Sequence, residues 1–212
     1  MSIRGRIRAL RAPMAAVAAA SLAAAGLLLT SPAASAAPVS ATSGSGSWAG
    51  PASWFQYIYT VAPAGTTTPA KPADCTPGIG GPLPPACTLP LTLASGTYDS
   101  AAGTATAHLG NVVWDKPGHG INLQFNDLTV EIAGSTGAIK ADLASTSGTS
   151  VLPQGPQSDF TLATIDLSGV TPTSSATSVS WAGIPGTFAS NIGAYIESWA
   201  GYANTAITPL SV

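Results

Sequence analysis

Charge is what this 212-residue chain has least of, with seven Lys and Arg against nine Asp and Glu. The four arginines, Arg4, Arg6, Arg8 and Arg11, all fall at the start, and beyond them the only cations are Lys71, Lys116 and Lys140. Phosphate binding needs clustered Lys and Arg, so nucleic acid is excluded as a partner. A metal site at Cys75 and Cys87 is the weaker reading of that pair, since no other Cys and no His lies near them in the sequence to complete it. Also missing are a phosphate-cradling loop with its Lys, a His-Glu-x-x-His helix and a nucleophile elbow. Some Ser, a His and an Asp can always be found to assemble a triad, but spacing does not reveal one. The chain reads as a non-enzyme.

What is present begins with the arginine-rich start, an uncharged run from Met14 to Thr30, and Ala34-Ser35-Ala36. This is the pattern of a secretory signal peptide over residues 1–36, cleaved after Ala36. The apolar run is close to the length of a membrane span, so an uncleaved anchor is the alternative; no later segment is long and apolar enough to span. Removing residues 1–36 leaves 176, with three lysines against nine acids and a formal charge of −6. That length suffices for one domain with its own core. In an exported chain, Cys75 and Cys87 read as a disulfide. It would close TPGIGGPLPPA, a Pro/Gly-rich segment, and loop closure of that length stabilises by about 3 kcal/mol.

Residues 37–46 are small and polar, the composition of a flexible linker. The domain is expected over 47–212 and opens on SWAGPASWFQYIY, which holds five of the fourteen aromatic residues. Such a cluster either seeds a core or lines a site for a flat apolar ligand. Pro51 suits a first helical turn and Ser53-Trp54-Phe55-Gln56 has capping-box spacing, which predicts a short helix over Ala52–Tyr59, with a strand as the alternative. Short runs between turn signals then recur at Leu89–Leu93, Thr104–Leu109, Val112–Asp115, Ile121–Leu128, Val130–Ile132, Ile139–Leu143, Phe160–Leu167 and Val179–Trp181. Ile121, Leu123 and Phe125 alternate with Asn122, Gln124 and Asn126, as on a strand with one wet face. The pattern predicts an all-β, antiparallel β-sandwich with one or two short helices. Phe188–Tyr195 reads as a second short helix or a loop.

His108 lies within a strand-like run and reads as structural. His119, in Pro117-Gly118-His119-Gly120, sits on a tight turn before a strong strand, a better place for a functional ring, although a structural role also fits there.

Gly110-Asn111-Val112-Val113-Trp114, then Gly118-His119-Gly120-Ile121-Asn122-Leu123, then Leu128-Thr129-Val130-Glu131-Ile132-Ala133-Gly134 resemble the HtaA domain of Gram-positive haem-acquisition proteins. Trp48 followed by Ser53-Trp54-Phe55-Gln56-Tyr57 is similar to that family's Trp and Ser-Phe-Arg-x-Tyr segment. Trp199-Ala200-Gly201 and Thr208-Pro209-Leu210 resemble its closing pattern. The likeness runs from Trp48 to Val212. It implies a β-sandwich that binds ferric haem through a tyrosine, here Tyr57, with His119 hydrogen-bonded to it and Ser53 near a propionate. A further family aromatic would be Tyr195 or Trp199. It also implies a secreted or cell-wall-associated protein serving haem uptake, with other haem-transfer proteins of the cell envelope as partners. The alternative is a non-catalytic sandwich used in adhesion or glycan binding.

The chemistry is coherent with that resemblance. Ferric iron is a hard acid and phenolate a hard oxygen donor. A free phenol is ionised at pH 7 at a cost of about 4 kcal/mol, and a histidine N–H would favour the charged form. Residues four apart share a helix face, so Ser53 and Tyr57 would address propionate and iron together. Trp48, Trp54, Phe55 and Tyr59 would supply apolar area for the macrocycle. The sequence departs from the family where Phe55 replaces an Arg, leaving propionates to Ser53, backbone N–H groups, a lysine or water. A cap role for Ser53 and a core or rim position for Tyr57 are the corresponding structural readings.

Overall fold

The computed structural model describes residues 37–147 and 151–212; the signal peptide expected over 1–36 lies outside them. In chain order the elements are β1 (Val39–Ala41), β2 (Ser45–Trp48), α1 (Ala52–Thr60), β3 (Thr66–Thr68), β4 (Leu89–Thr92), β5 (Ser95–Asp99), β6 (Thr104–His108) and β7 (Val112–Lys116). A 3-10 turn (Pro117–His119) leads into β8 (Ile121–Ala133), β9 (Thr136–Ala144), β10 (Gln157–Asp166), β11 (Thr173–Ser174), β12 (Val179–Ser180) and β13 (Gly186–Phe188). The short α2 (Ile192–Tyr195) and a second 3-10 turn (Glu197–Tyr202) follow. Among the described residues every strand pairing is antiparallel, and the architecture is the expected all-β sandwich with short helices.

The main sheet runs β1-β5-β6-β8-β9-β10-β13, with β7 beside β8 and β3 beside β7. Its spine is β8. Leu123 and Phe125 are buried, and so are Leu128, Val130 and Ile132, so the inward positions change from odd to even between Phe125 and Leu128. A β-bulge makes that change: Asp127 adopts φ 47 and the β8–β9 register skips between Asn126 and Thr129. One extra residue on one strand turns the following side chains to the other face. The two runs expected at Ile121–Leu128 and Val130–Ile132 are therefore one bulged strand. Its first half pairs with β7 and its second with β6.

Residues 37–46, expected as a flexible linker, are instead held by the sheets. β1 pairs with β5, and β2 pairs with β4. Small polar side chains give little strand signal, but their backbone groups complete ladders.

An aromatic hub joins the helix to the sheet. Trp199 is fully buried and packs edge-on against Trp54, Phe125, Phe188 and Tyr202 at centroid distances of 6.2, 5.3, 5.6 and 6.2 Å. Edge-to-face pairs of this kind add about 0.5–1.5 kcal/mol each beyond burial. Phe55 packs edge-on against Trp114 at 6.0 Å, and both are buried completely. The helix is thereby pinned through Trp54, Phe55 and Ile58, with Ser53 exposed and Tyr57 half-buried on its outer side.

Candidate functional site

Tyr57 and His119 come from elements 62 residues apart and meet at 2.8 Å between Tyr57 Oη and His119 Nδ1. Tyr57 projects from the outer face of α1, its ring stacked on Trp54 at 5.7 Å. His119 stands at the end of the 3-10 turn after β7. Two glycines shape that turn: Gly120 ends it in the left-handed region at φ 65, and Gly118 lies so close to Pro63 that a Cβ there would come within 2.3 Å of Pro63 Cγ. The turn is thus packed directly against the segment that leaves α1.

The second nitrogen of His119 fixes its tautomer. Nε2 lies 3.2 Å from the Ala62 carbonyl oxygen, which can only accept, so Nε2 carries the proton. In the neutral ring Nδ1 is then an acceptor, and the Tyr57 hydroxyl donates to it.

Ser53 lies one helical turn before Tyr57. Its Oγ is 2.8 Å from Tyr202 Oη, and Gln56 Nε2 donates to the Gly81 carbonyl at 2.6 Å. The expected capping box therefore does not form. Pro51 is the N-cap and no side chain caps the helix; Ser53 already lies inside the helix, where its hydroxyl points outward to a distant tyrosine. The same residues line an open cleft of about 360 Å³ with Gly80, Gly81, Phe188 and Ala206. Gly80 and Gly81 belong to the loop closed by the Cys75–Cys87 disulfide, so the bridge and the Gln56 bond hold one wall of the cleft.

Several sequence expectations change. Trp48, Trp54 and Phe55 are 2 %, 4 % and 0 % exposed, so their apolar area is already covered by the protein and is not a wall for a ligand. Tyr59 is half-buried and hydrogen-bonded to Thr67. Of the two C-terminal candidates, Tyr195 packs on Phe160 at 4.7 Å and Trp199 is core; the aromatic beside Ser53 is Tyr202, which the sequence reading passed over. The lysines are also committed. Lys71 donates to the Cys75 carbonyl at 2.6 Å, and Lys140 pairs with Glu131 at 2.9 Å. His108 sits apart from the site, 2.8 Å from Asp127 and 3.0 Å from Thr129.

Lys116 was also missed. Its alternation with Val112 and Trp114, which places all three on the inward face of β7, was the signal that could have found it. The side chain is fully buried, and Nζ donates to the carbonyls of Ile58, Val61 and Pro63 at 3.1, 2.6 and 2.7 Å. It lies 5.2 Å from the centroid of the Tyr57 ring. Burial pushes its pKa down from the ordinary lysine value.

The donor set fits a haem. A phenol oxygen with a basic nitrogen beside it is a hard anionic ligand in waiting, and the Ser53 and Tyr202 hydroxyls one helical turn away can donate to carboxylates. The structure resembles the crystal structure of the C-terminal domain of HtaA from Corynebacterium glutamicum, with a TM-score of 0.57 and 17 % identity over 81 % of this chain and 95 % of that one. A crystal structure of the heme binding protein HtaB from the same organism is more distant, with a TM-score of 0.47 and 15 % identity over 82 % of this chain and 93 % of that one. At these identities the likeness is one of fold. No curated protein matches the sequence. The HtaA family, described as Htaa, matches residues 43–211. A match over that span covers most of the chain, which therefore belongs to the HtaA family.

Proposed function

We propose that this protein is an exported, non-catalytic haem-binding protein of the cell envelope that takes up ferric haem through Tyr57. The observation that carries the reading is the Tyr57–His119 pair at 2.8 Å, supported by membership of the HtaA family. Haem supplies a hard Lewis-acid iron and two carboxylates. The protein supplies an oxygen ligand and a place for its proton.

His119 is that place. Its Nδ1 already accepts from the phenol across 2.8 Å, so the proton passes along an existing hydrogen bond. The resulting imidazolium keeps both of its bonds, Nδ1–H to the phenolate and Nε2–H to the Ala62 carbonyl. His119 would thus hold the proton and orient the oxygen, while Tyr57 would be the residue that holds the iron. Ser53 and Tyr202 offer hydroxyl donors to a propionate in the place of the family's arginine. Export rests on the signal-like residues 1–36.

The test is a titration of the mature protein with hemin, followed in the visible spectrum. Tyr57→Phe deletes one oxygen and keeps the ring's packing, so the fold should persist while haem affinity drops at least a hundredfold. Tyr59→Phe, whose hydroxyl is engaged with Thr67, should bind as the parent does. If Tyr57→Phe gives the parental spectrum and affinity, Tyr57 is not the ligand. If the parent shows no saturable change, the haem reading fails and the adhesion or glycan-binding alternative replaces it.

A further inference from the structure

A lysine with no exposed surface normally has a carboxylate partner, because an unpaired buried charge is costly. Lys116 is fully buried, and among the described residues no carboxylate pairs with it. Its three donors are spent on three neutral carbonyls. Two features mark where it sits. The carbonyls of Val61 and Pro63 flank Ala62, whose own carbonyl receives His119 Nε2, and the Ile58 carbonyl belongs to the helix residue after Tyr57. Lys116 also immediately precedes the turn that carries His119. One ammonium therefore ties the end of the helix, the segment under the imidazole and the root of the histidine turn into a single unit. That same ammonium lies 5.2 Å from the centre of the Tyr57 ring.

We propose that Lys116 is a positioning residue for the ligand tyrosine: it locks the His119 turn to α1 and supplies the fixed positive charge that a Tyr57 phenolate requires. The missing anion of the buried cation is the phenolate itself, formed only when the site is loaded. The ammonium lies 5.2 Å from the centre of the ring that would carry the negative charge, and in a partly desolvated site attraction over a separation of that order changes an affinity by about tenfold. A positive charge at the C-terminal end of α1 also complements the helix dipole, which explains why the cage tolerates the cation before the anion appears. Lys116 serves the same site, so its electrostatic role rests on Tyr57 being the ligand.

Three variants separate charge from shape. Lys116→Arg keeps the charge, Lys116→Gln keeps hydrogen-bond donors without charge, and Lys116→Met keeps neither. In the ligand-free proteins, NMR contacts between the Tyr57 and His119 rings should survive in Lys116→Arg and weaken in Lys116→Met. With hemin, both neutral variants should bind at least tenfold more weakly. Their phenolate-to-iron absorption should move to longer wavelength, because a phenolate that keeps the His119 imidazolium but loses the ammonium is a more electron-rich donor, whereas Lys116→Arg should keep the parental band. Parental affinity and spectrum in Lys116→Gln and Lys116→Met would overturn the proposal. So would equal impairment of all three, or neutral variants that fail to fold while Lys116→Arg folds, since each makes Lys116 a structural cap alone. A parent that takes up no hemin would strike the haem reading instead, and the ligand-free ring contacts would still judge the locking role.

Discussion

Replacing Gly118 by Ala tests whether the His119 turn is seated as tightly as its geometry says. A Cβ at this position would come to 2.3 Å from Pro63 Cγ and 3.2 Å from Cδ. Non-bonded carbons settle at about 3.5–4.0 Å, so the turn and the Pro63 segment must separate by about 1.2 Å. Neither side is a flexible side-chain end, because one is backbone and the other a ring. A rigid shift of that size would stretch the 2.8 Å bond from Tyr57 to His119 beyond hydrogen-bonding reach and loosen the 3.2 Å bond to Ala62. Two exposed hydrogen bonds at the low end of their range contribute about 1 kcal/mol together, and overpacking adds at least about 1 kcal/mol. The loss of about 2 kcal/mol corresponds to a fall in melting temperature of about 4–8 °C for a domain of this length. Calorimetry of the mature protein measures that fall, and NMR contacts between the two rings report the separation. Gly169→Ala is the control, because a Cβ there meets nothing within 4 Å. A Gly118→Ala protein that melts with the parent and keeps the ring contacts would refute the tight seating of the turn, and with it the role of Pro63 as its abutment.

Two further outcomes are expected. Reducing the Cys75–Cys87 bridge should lower stability by about 3 kcal/mol and increase amide exchange at Gly80 and Gly81, which intact mass and exchange measurements with and without reductant will show. Asp166 is held below the ordinary carboxylate range by hydrogen bonds from the Ser168 hydroxyl and backbone N–H. Its contribution to stability is therefore complete above the unfolded value near 3.9 and is lost as pH falls through the depressed folded value. Asp166→Asn should flatten the acid limb of a stability–pH curve below about pH 4 and leave the curve above it parallel to the parent's.

How much of this was legible in the sequence depended on what each residue type announces. The alternation from Ile121 to Phe125 announced a half-buried strand because large apolar and amide side chains contrast strongly. Ser95–Asp99 and Gly186–Phe188 form strands too, but their Ser, Gly and Thr residues carry little hydrophobic contrast, and backbone pairing alone decides them. Tyr57, His119 and Ser53 were found through a family resemblance, and the structure brings the first two into contact while joining Ser53 to Tyr202. Tyr202 was missed because no local pattern distinguishes it from Tyr195. The tryptophans were misread because an aromatic cluster looks the same in sequence whether it faces a ligand or the core; only tertiary burial separates Trp54 from Tyr57, three residues apart on one helix.

The bulge at Asp127 acts like a frame boundary within β8. Upstream of it, Ile121–Phe125 is read in one phase against β7, the strand that delivers the His119 turn; downstream, Leu128–Ile132 is read in the other phase against β6. The extra residue is anchored by its own N–H to the Asn111 side chain at 3.0 Å. Length changes within the Pro117–Gly120 turn would leave both phases intact, yet the seating of Gly118 against Pro63 and the two His119 bonds fix that turn as well. A single deletion between Asn122 and Asn126 would turn the preceding part of the strand inside out and point its amides at the core. The spacing of the strand is therefore fixed to the residue on both sides of the bulge.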